Sequence, residues 1–259
     1  DTASISRNVV VDVPVVSDAN LALEKLLEWA ESKDTEQWQK EIAEWDKKNP
    51  LEMRRDCGMT PQMVFEHVNR TFREAVYVTD VGQHQMWAAQ YYKYTKPRTL
   101  ITSGGLGTMG YGLGAAIGAK VGNPDKTVVN IAGDGCFRMN MNEIATATRS
   151  DIPIIELIFN NSVLGMVRQW QTLFYGERYS HTILKDKVDY VKVAEAMGAK
   201  AYRITKKEEV EPVLKEAIAA GEPVVIDCII ESDDKVFPMV APGKNLEDVF
   251  DEEDLNAES

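Results

Sequence analysis

The chain has 259 residues, 44% of them hydrophobic, and a formal net charge of −12. That is enough apolar material for a real core and enough length for one large domain, alone or with appendages. No apolar run reaches the roughly 18 residues of a membrane span, no basic-then-apolar leader opens the chain, and no basic face is on offer to nucleic acid.

Residues 1–16 do not read as the start of a domain, since Val9 to Val16 is strand-like but too short to bury itself. Ser17-Asp18 caps a helix expected to reach about Ser32, with Leu23, Leu26, Leu27 and Ala30 on one face. A second helical stretch carries Trp38, Ile42 and Trp45 and is broken at Asn49-Pro50. Residues 17–55 thus form a helical linker, and the compact domain is expected over residues 56–231. Its first helix opens at Thr60-Pro61, a cap followed by proline at the first helical position.

Ala75 to Thr79 is a short strand that runs into Asp80-Val81-Gly82-Gln83-His84 and then a helix. Ser103 to Gly114 carries six glycines, a density that permits close packing and close approach to a planar ligand. The run Val128 to Ala132 delivers Gly133-Asp134-Gly135, and the run Pro153 to Phe159 delivers Asn160-Asn161. Met141 to Ser150 between them has the length of a crossover helix, which makes the two strands parallel and brings both loops to one sheet edge. After Asn161, Val163 to Tyr175 places Met166, Trp170, Leu173 and Phe174 on one helical face, the pattern of a core stripe. Tyr190 to Met197 is a helix capped by Asp189, Ala201 to Ile204 a strand, Lys207 to Ala219 a helix, and Pro223 to Ile230 a strand broken only by Asp227. This alternation predicts a doubly wound, mostly parallel α/β sheet with helices on both faces. Residues 232–259 form an extension whose end carries seven acidic and no basic residues after Lys244, the composition of a solvated tail.

Ligands of open α/β sheets sit outside the carboxyl ends of the strands. There Asp134, the Asn161 amide oxygen and the main-chain carbonyl of Val163 make an all-oxygen half-shell suited to Mg²⁺, with room for phosphate oxygens and water. Gly133 and Gly135 let main-chain N–H groups approach an anion, and Gln83 and His84 are candidates for the same phosphate oxygens. Together these residues read as a metal–diphosphate clamp. Cys57, Cys136 and Cys228 are odd in number and unpatterned, which argues against disulfides and zinc and makes a cytoplasmic, reduced protein the expectation.

The clamp resembles the thiamine diphosphate signature, and the segment Asn160-Asn161-Ser162-Val163-Leu164-Gly165-Met166-Val167-Arg168-Gln169-Trp170-Gln171 resembles the catalytic subunit of acetolactate synthase (acetohydroxyacid synthase). Val81 to Trp87 and Ser103 to Gly110 extend the resemblance, which covers nearly the whole chain. It implies the thiamine diphosphate-binding fold and a Mg²⁺-dependent carboligase of branched-chain amino acid synthesis. Such an enzyme condenses pyruvate, with loss of CO₂, with a second 2-keto acid to give acetolactate or acetohydroxybutyrate. On the resemblance, Met109 supports the bent cofactor, and main-chain groups of Gly107 and Met109 hold its aminopyrimidine. Met166 and the main chain at Cys136 join the cofactor site, and Trp170 shapes the pocket for the second keto acid. The family more often has serine where this chain has Cys136. Residues 1–16 match the end of the family's middle domain, implying a chain cut from something longer. The activating glutamate of the family's N-terminal domain is absent from this chain, and FAD is held mainly outside it. The implied assembly is a homodimer or tetramer with those domains, and a regulatory subunit is left open. Two other readings stand beside this one: a pyruvate oxidase-like or other thiamine diphosphate enzyme, and a non-catalytic cofactor-binding or assembly module.

Overall fold

The computed structural model describes residues 1–51, 58–184 and 187–257. The chain divides into two units, Asp1–Glu52 and Met53–Ser259. Cys57 and the expected boundary between residues 55 and 56 lie outside the described residues.

The first unit holds two helices, α1 (Ala19–Leu27) and α2 (Glu36–Lys48). Asp18 caps α1 by accepting from the N–H groups of Asn20 and Leu21. The helix stops short of Ser32, and its apolar face is exposed at Leu23, Leu26 and Leu27. A short helix without a buried face gains little beyond its own propensity, so it does not propagate. On α2, Trp38 and Trp45 pack edge to face at 5.7 Å. Val9 to Val16 forms no strand, and no strand pairs with it among the described residues.

The second unit is built on a sheet of six strands among the described residues: β1 (Val76–Thr79), β2 (Leu100–Thr102), β3 (Val128–Gly133), β4 (Ile155–Asn160), β5 (Lys200–Ile204) and β6 (Val224–Ile229). Their spatial order is β2-β1-β3-β4-β6-β5, and every neighbouring pair is parallel. The side-chain period of two sends Tyr77, Val129, Ile131, Leu157 and Phe159 to one face. There they meet α3 (Pro61–Thr71), α4 (Gln83–Tyr91) and α10 (Lys207–Ala219) through Phe65, Trp87 and Leu214. Val76, Val78, Val128 and Ile158 point the other way, toward Leu113, Phe137, Ile144 and Tyr190. Those four side chains come from α5 (Tyr111–Gly122), α6 (Asp134–Asn140), α7 (Ile144–Arg149) and α9 (Tyr190–Ala196). The fold is the doubly wound α/β sheet with helices on both faces. It has two separate cores because both faces of a parallel sheet must be covered.

Two local readings change. The crossover between β3 and β4 begins at Asp134 itself, as α6, and passes through a 3-10 turn at Met141–Glu143 before α7. Gly133-Asp134-Gly135 is a strand end and a helix start rather than a loop, and an acidic residue in the first helical turn suits the helix dipole. The apolar stripe on α8 (Gly165–Phe174) is not a core stripe: Trp170 is exposed, Phe174 is half-buried, and the buried side chain of this helix is Gln169. After β6, a two-stranded antiparallel pair, β7 (Met239–Val240) and β8 (Val249–Phe250), belongs to the same unit as the sheet.

Candidate functional site

All six strands are parallel, so their carboxyl ends share one edge, and the winding reverses between β1 and β3. The segments that follow β1, β3 and β4 meet there: Asp80 to His84, Gly133 to Gly135, and Asn160 to Val163. Asp80 is the organiser of this edge. Its carboxylate accepts from the N–H groups of Val81 at 2.8 Å, Gly110 at 2.9 Å and Gly112 at 3.0 Å, which ties the end of β1 to the glycine-rich turn before α5. Gly110 adopts φ 86°, a conformation open to glycine, and a Cβ on Gly112 would lie 2.5 Å from Asn130 Oδ1. Gly107, at φ 70°, and the half-buried Met109 belong to the same turn. Met109 is positioned over α6, with its Cε 3.7 Å from where a Cβ on Gly135 would stand.

His84 is buried between two glycines, and a Cβ on either Gly82 or Gly133 would approach its ring to 2.7 or 2.9 Å. Burial pushes its pKa down to about 4, outweighing the pull of Asp80, so the ring is neutral at physiological pH. The Cys136 thiol is also turned inward: Sγ donates to the Val81 carbonyl at 3.0 Å and lies 3.9 Å from His84 Nε2. Burial raises its pKa far above the ordinary thiol range, which keeps it protonated and unreactive.

Asp134 is 3% exposed. Burial raises its pKa to about 7, against the main-chain N–H groups of Gly135, of Asp134 itself and of Ser162, while the neighbouring Asp227 adds to the rise. The Ser162 contribution brings the Asp134 carboxylate to the Asn161–Ser162 segment, as the strand–helix–strand reading requires. The charged side chain that acts on Asp134 is another carboxylate rather than a cation, a situation that a divalent ion would relieve. Asn161 Oδ1 accepts from Val163 N–H at 3.2 Å, and its Nδ2 faces Gln83 Oε1 at 3.5 Å. The Asp134 carboxylate, the Asn161 amide oxygen and the Val163 carbonyl are hard oxygen donors, the donor chemistry that suits Mg²⁺. Among the described residues no group of three or more His, Cys, Asp or Glu side chains is placed to hold a metal.

The next residue back, Asn160, donates from Nδ2 to Asp227 at 2.8 Å, and Asp227 is in turn held by Arg203 Nε at 3.0 Å. The lone acid in β6 is thus paired and holds the turn that presents Asn161. Met166 is half-buried in the first turn of α8, and Trp170, 36% exposed, packs on Phe174 with ring centroids 5.2 Å apart.

The family model described as thiamine pyrophosphate enzyme, C-terminal TPP binding domain, matches residues 80–228, from the organising Asp80 into β6. The chain belongs to this family. Its curated relatives include the acetolactate synthase large subunit of Corynebacterium glutamicum, 44% identical over 96% of this chain and 42% of the relative. The probable acetolactate synthase large subunit of Methanocaldococcus jannaschii is 43% identical over 96% of this chain and 44% of its own length. The acetolactate synthase large subunit of Haemophilus influenzae is 41% identical over 96% and 45%. The chain spans less than half the length of these relatives.

Within this thiamine pyrophosphate-binding domain, three features of the edge escape a reading of the sequence. Asp80 looks like a loop acid, and two of its three main-chain partners, Gly110 and Gly112, come from a turn about thirty residues away. Glu156 and Asn130 sit inside runs that read as apolar, yet they face each other across β4 and β3, with Asn130 Nδ2 at 3.0 and 2.8 Å from the two Glu156 oxygens. Burial raises the Glu156 pKa to about 8 despite this bond, with Asp80 acting in the same direction. Gln169 was hidden behind the apolar stripe beside it. For none of the three does spacing supply a signal, because each partner comes from a different element.

Proposed function

We propose that this chain is the cofactor-binding part of a carboligase that condenses pyruvate, with loss of CO₂, with a second 2-keto acid to give acetolactate or acetohydroxybutyrate. The observation that carries the reading is the buried Asp134 carboxylate, drawn up to the Asn161 turn with another carboxylate, Asp227, as the charged neighbour that acts on it among the described residues. Asp134, the Asn161 amide oxygen and the Val163 carbonyl would hold Mg²⁺, and the ion would hold the diphosphate of thiamine diphosphate. When bound, the cofactor supplies the chemistry that makes and breaks the bond to the keto carbon.

The residues of the chain bind and orient. α4 has no side-chain cap, so its first N–H groups, at Gln83 and His84, are available to phosphate oxygens. Gly133, Gly135 and the main chain at Cys136 let the backbone come close to the same anion. Neutral His84 hydrogen-bonds without adding charge. Met109 would lie beneath the thiazolium and aminopyrimidine rings, with main-chain groups of Gly107 and Met109 on the aminopyrimidine and Met166 closing the other side. Exposed Trp170 would line the pocket of the second keto acid. The remaining walls, the proton-accepting glutamate and the FAD site would come from N-terminal and middle domains in a cytoplasmic homodimer or tetramer, with any regulatory subunit outside this chain.

The 40–44% identity to acetolactate synthase large subunits supports this over another thiamine diphosphate enzyme. The test is product formation: the complete protein, given pyruvate, thiamine diphosphate and Mg²⁺, should form acetolactate, and chelation of Mg²⁺ should stop it. Acetyl phosphate or acetaldehyde as the main product would point to an oxidase or a decarboxylase instead.

A further inference from the structure

Three buried amides run in series behind the metal position: Gln169 at 5%, Gln83 at 4% and Asn161 at 7% exposure. An amide offers a donor at one end and an acceptor at the other, so a buried amide is fixed in direction by its neighbours. The series begins at a main chain that has only one polarity. Val236 N–H donates to Gln169 Oε1 at 2.9 Å, and the Val236 carbonyl accepts from Gln169 Nε2 at 3.0 Å. Reversing the Gln169 amide would set donor against donor and acceptor against acceptor.

With Gln169 Oε1 fixed as an acceptor, it takes a hydrogen bond from Gln83 Nε2 at 2.8 Å, and the other Nε2 hydrogen goes to the Asp234 carbonyl at 2.9 Å. Both side-chain donors of Gln83 are thereby used inside the chain, and its Oε1 is turned to Asn161 Nδ2 at 3.5 Å. Gly165 makes room for this arrangement, since a Cβ there would stand 1.9 Å from Gln83 Oε1. At the far end of the Asn161 amide, Oδ1 accepts from Val163 N–H. A flipped Asn161 would put its oxygen against Gln83 Oε1 and its NH₂ against Val163 N–H.

We propose that Gln169 and Gln83 are positioning residues: they act as a hydrogen-bond relay from the Val236 main chain that holds the Asn161 amide with Oδ1, not Nδ2, toward the metal. An NH₂ group cannot ligate Mg²⁺, so the direction of this amide decides whether Asn161 is a ligand at all. The inference rests on the metal site proposed above. It assigns the Gln83 side chain to the orientation of Asn161, leaving its main-chain N–H for the anion.

The test is a double-mutant comparison read by calorimetric titration of Mg²⁺ into the complete apo-protein with thiamine diphosphate present. Gln169→Met removes the amide but keeps length and packing, and should weaken Mg²⁺ about fivefold, the effect of one lost orienting hydrogen bond. In an Asn161→Asp background the two carboxylate oxygens are equivalent and need no orienting, so Gln169→Met should change the affinity less than about twofold. The same loss in both backgrounds would assign Gln169 to packing and overturn the relay, as would no loss in the Asn161 protein. Should Gln169→Met not fold, Gln169→Glu retains the acceptor for Gln83 Nε2 while opposing the Val236 carbonyl. It should lower the melting temperature yet hold Mg²⁺ affinity within about twofold of the parent, and a fivefold loss there would refute the proposal. If the parent protein shows no Mg²⁺-dependent cofactor binding at all, the metal reading itself falls, and the relay with it.

Discussion

Replacing Asp134 by asparagine should make the ligand-free protein more stable above neutral pH, although it removes a side chain from the heart of the site. The carboxyl is 3% exposed, and burial raises its pKa from 3.8 to about 7. A rise of about three units corresponds to ~4 kcal/mol of differential interaction between the two protonation states. The folded state holds the proton more tightly than the unfolded state. The carboxyl therefore costs nothing below the unfolded value near pH 4, and stability drains away as pH rises through about 7. Asparagine is free of that cost but gives up an acceptor for the surrounding N–H groups, ~1 kcal/mol at every pH. Urea denaturation of wild type and Asp134→Asn in chelator should show the variant gaining ~3 kcal/mol on wild type between about pH 5 and about pH 8. Adding Mg²⁺ and thiamine diphosphate should invert the order, because only wild type gains binding energy. A variant less stable than wild type at pH 8, or a difference that does not vary with pH, would show that Asp134 is not a strained, buried anion.

Gly165→Ala should lose ~1–3 kcal/mol in the same assay, since the new methyl would displace Gln83 Oε1, 1.9 Å away, from the start of α8. Glu156→Gln should gain on wild type as pH rises from about 5 to about 8, because over that range the unfolded wild type gives up the proton that burial makes the folded state keep. Its urea midpoint should diverge from that of wild type across this window and run parallel to it above about pH 8. Trp170→Leu should cost ~1 kcal/mol or less in stability, because the ring is partly exposed and leucine keeps an apolar side chain beside Phe174. In the complete protein it should shift the ratio of acetolactate to acetohydroxybutyrate formed from mixed pyruvate and 2-ketobutyrate; an unchanged ratio would remove Trp170 from the acceptor pocket.

The parts of this edge that could be read from the sequence are those set by local patterns. Apolar runs ending in Gly133-Asp134 and Asn160-Asn161, with a helix-length interval between, suffice to make β3 and β4 parallel and to bring the two loops together. Thr60-Pro61 and Asp189 are local caps, and each accepts the expected N–H, from Met63 and Lys192. What stayed hidden depends on register and on partners distant in sequence. Asn130 pairs with Glu156 only because β3 and β4 align residue by residue, so each looked like a stray polar residue in an apolar run. Gly133-Asp134-Gly135 read as a loop past the strand, since two glycines disfavour a helix, but packing of Phe137 under α6 outweighs their propensity. On α8 the periodic apolar residues drew attention away from Gln169, whose burial is decided by Val236, 67 residues further on. β2 is short and lies at the edge of the sheet with exposed residues, so it carried no alternation to read.

On this proposal Asp134 and Asn161 would hold a divalent ion that in turn holds a diphosphate. This is tested most directly by titrating thiamine diphosphate into the complete apo-protein with Mg²⁺ or with chelator, for wild type and for Asp134→Ala. Binding that is strong with Mg²⁺, lost on chelation and lost in Asp134→Ala with the far-ultraviolet circular dichroism unchanged is the predicted result. Equal affinity of the wild type with and without Mg²⁺, or undiminished binding by Asp134→Ala, would contradict it.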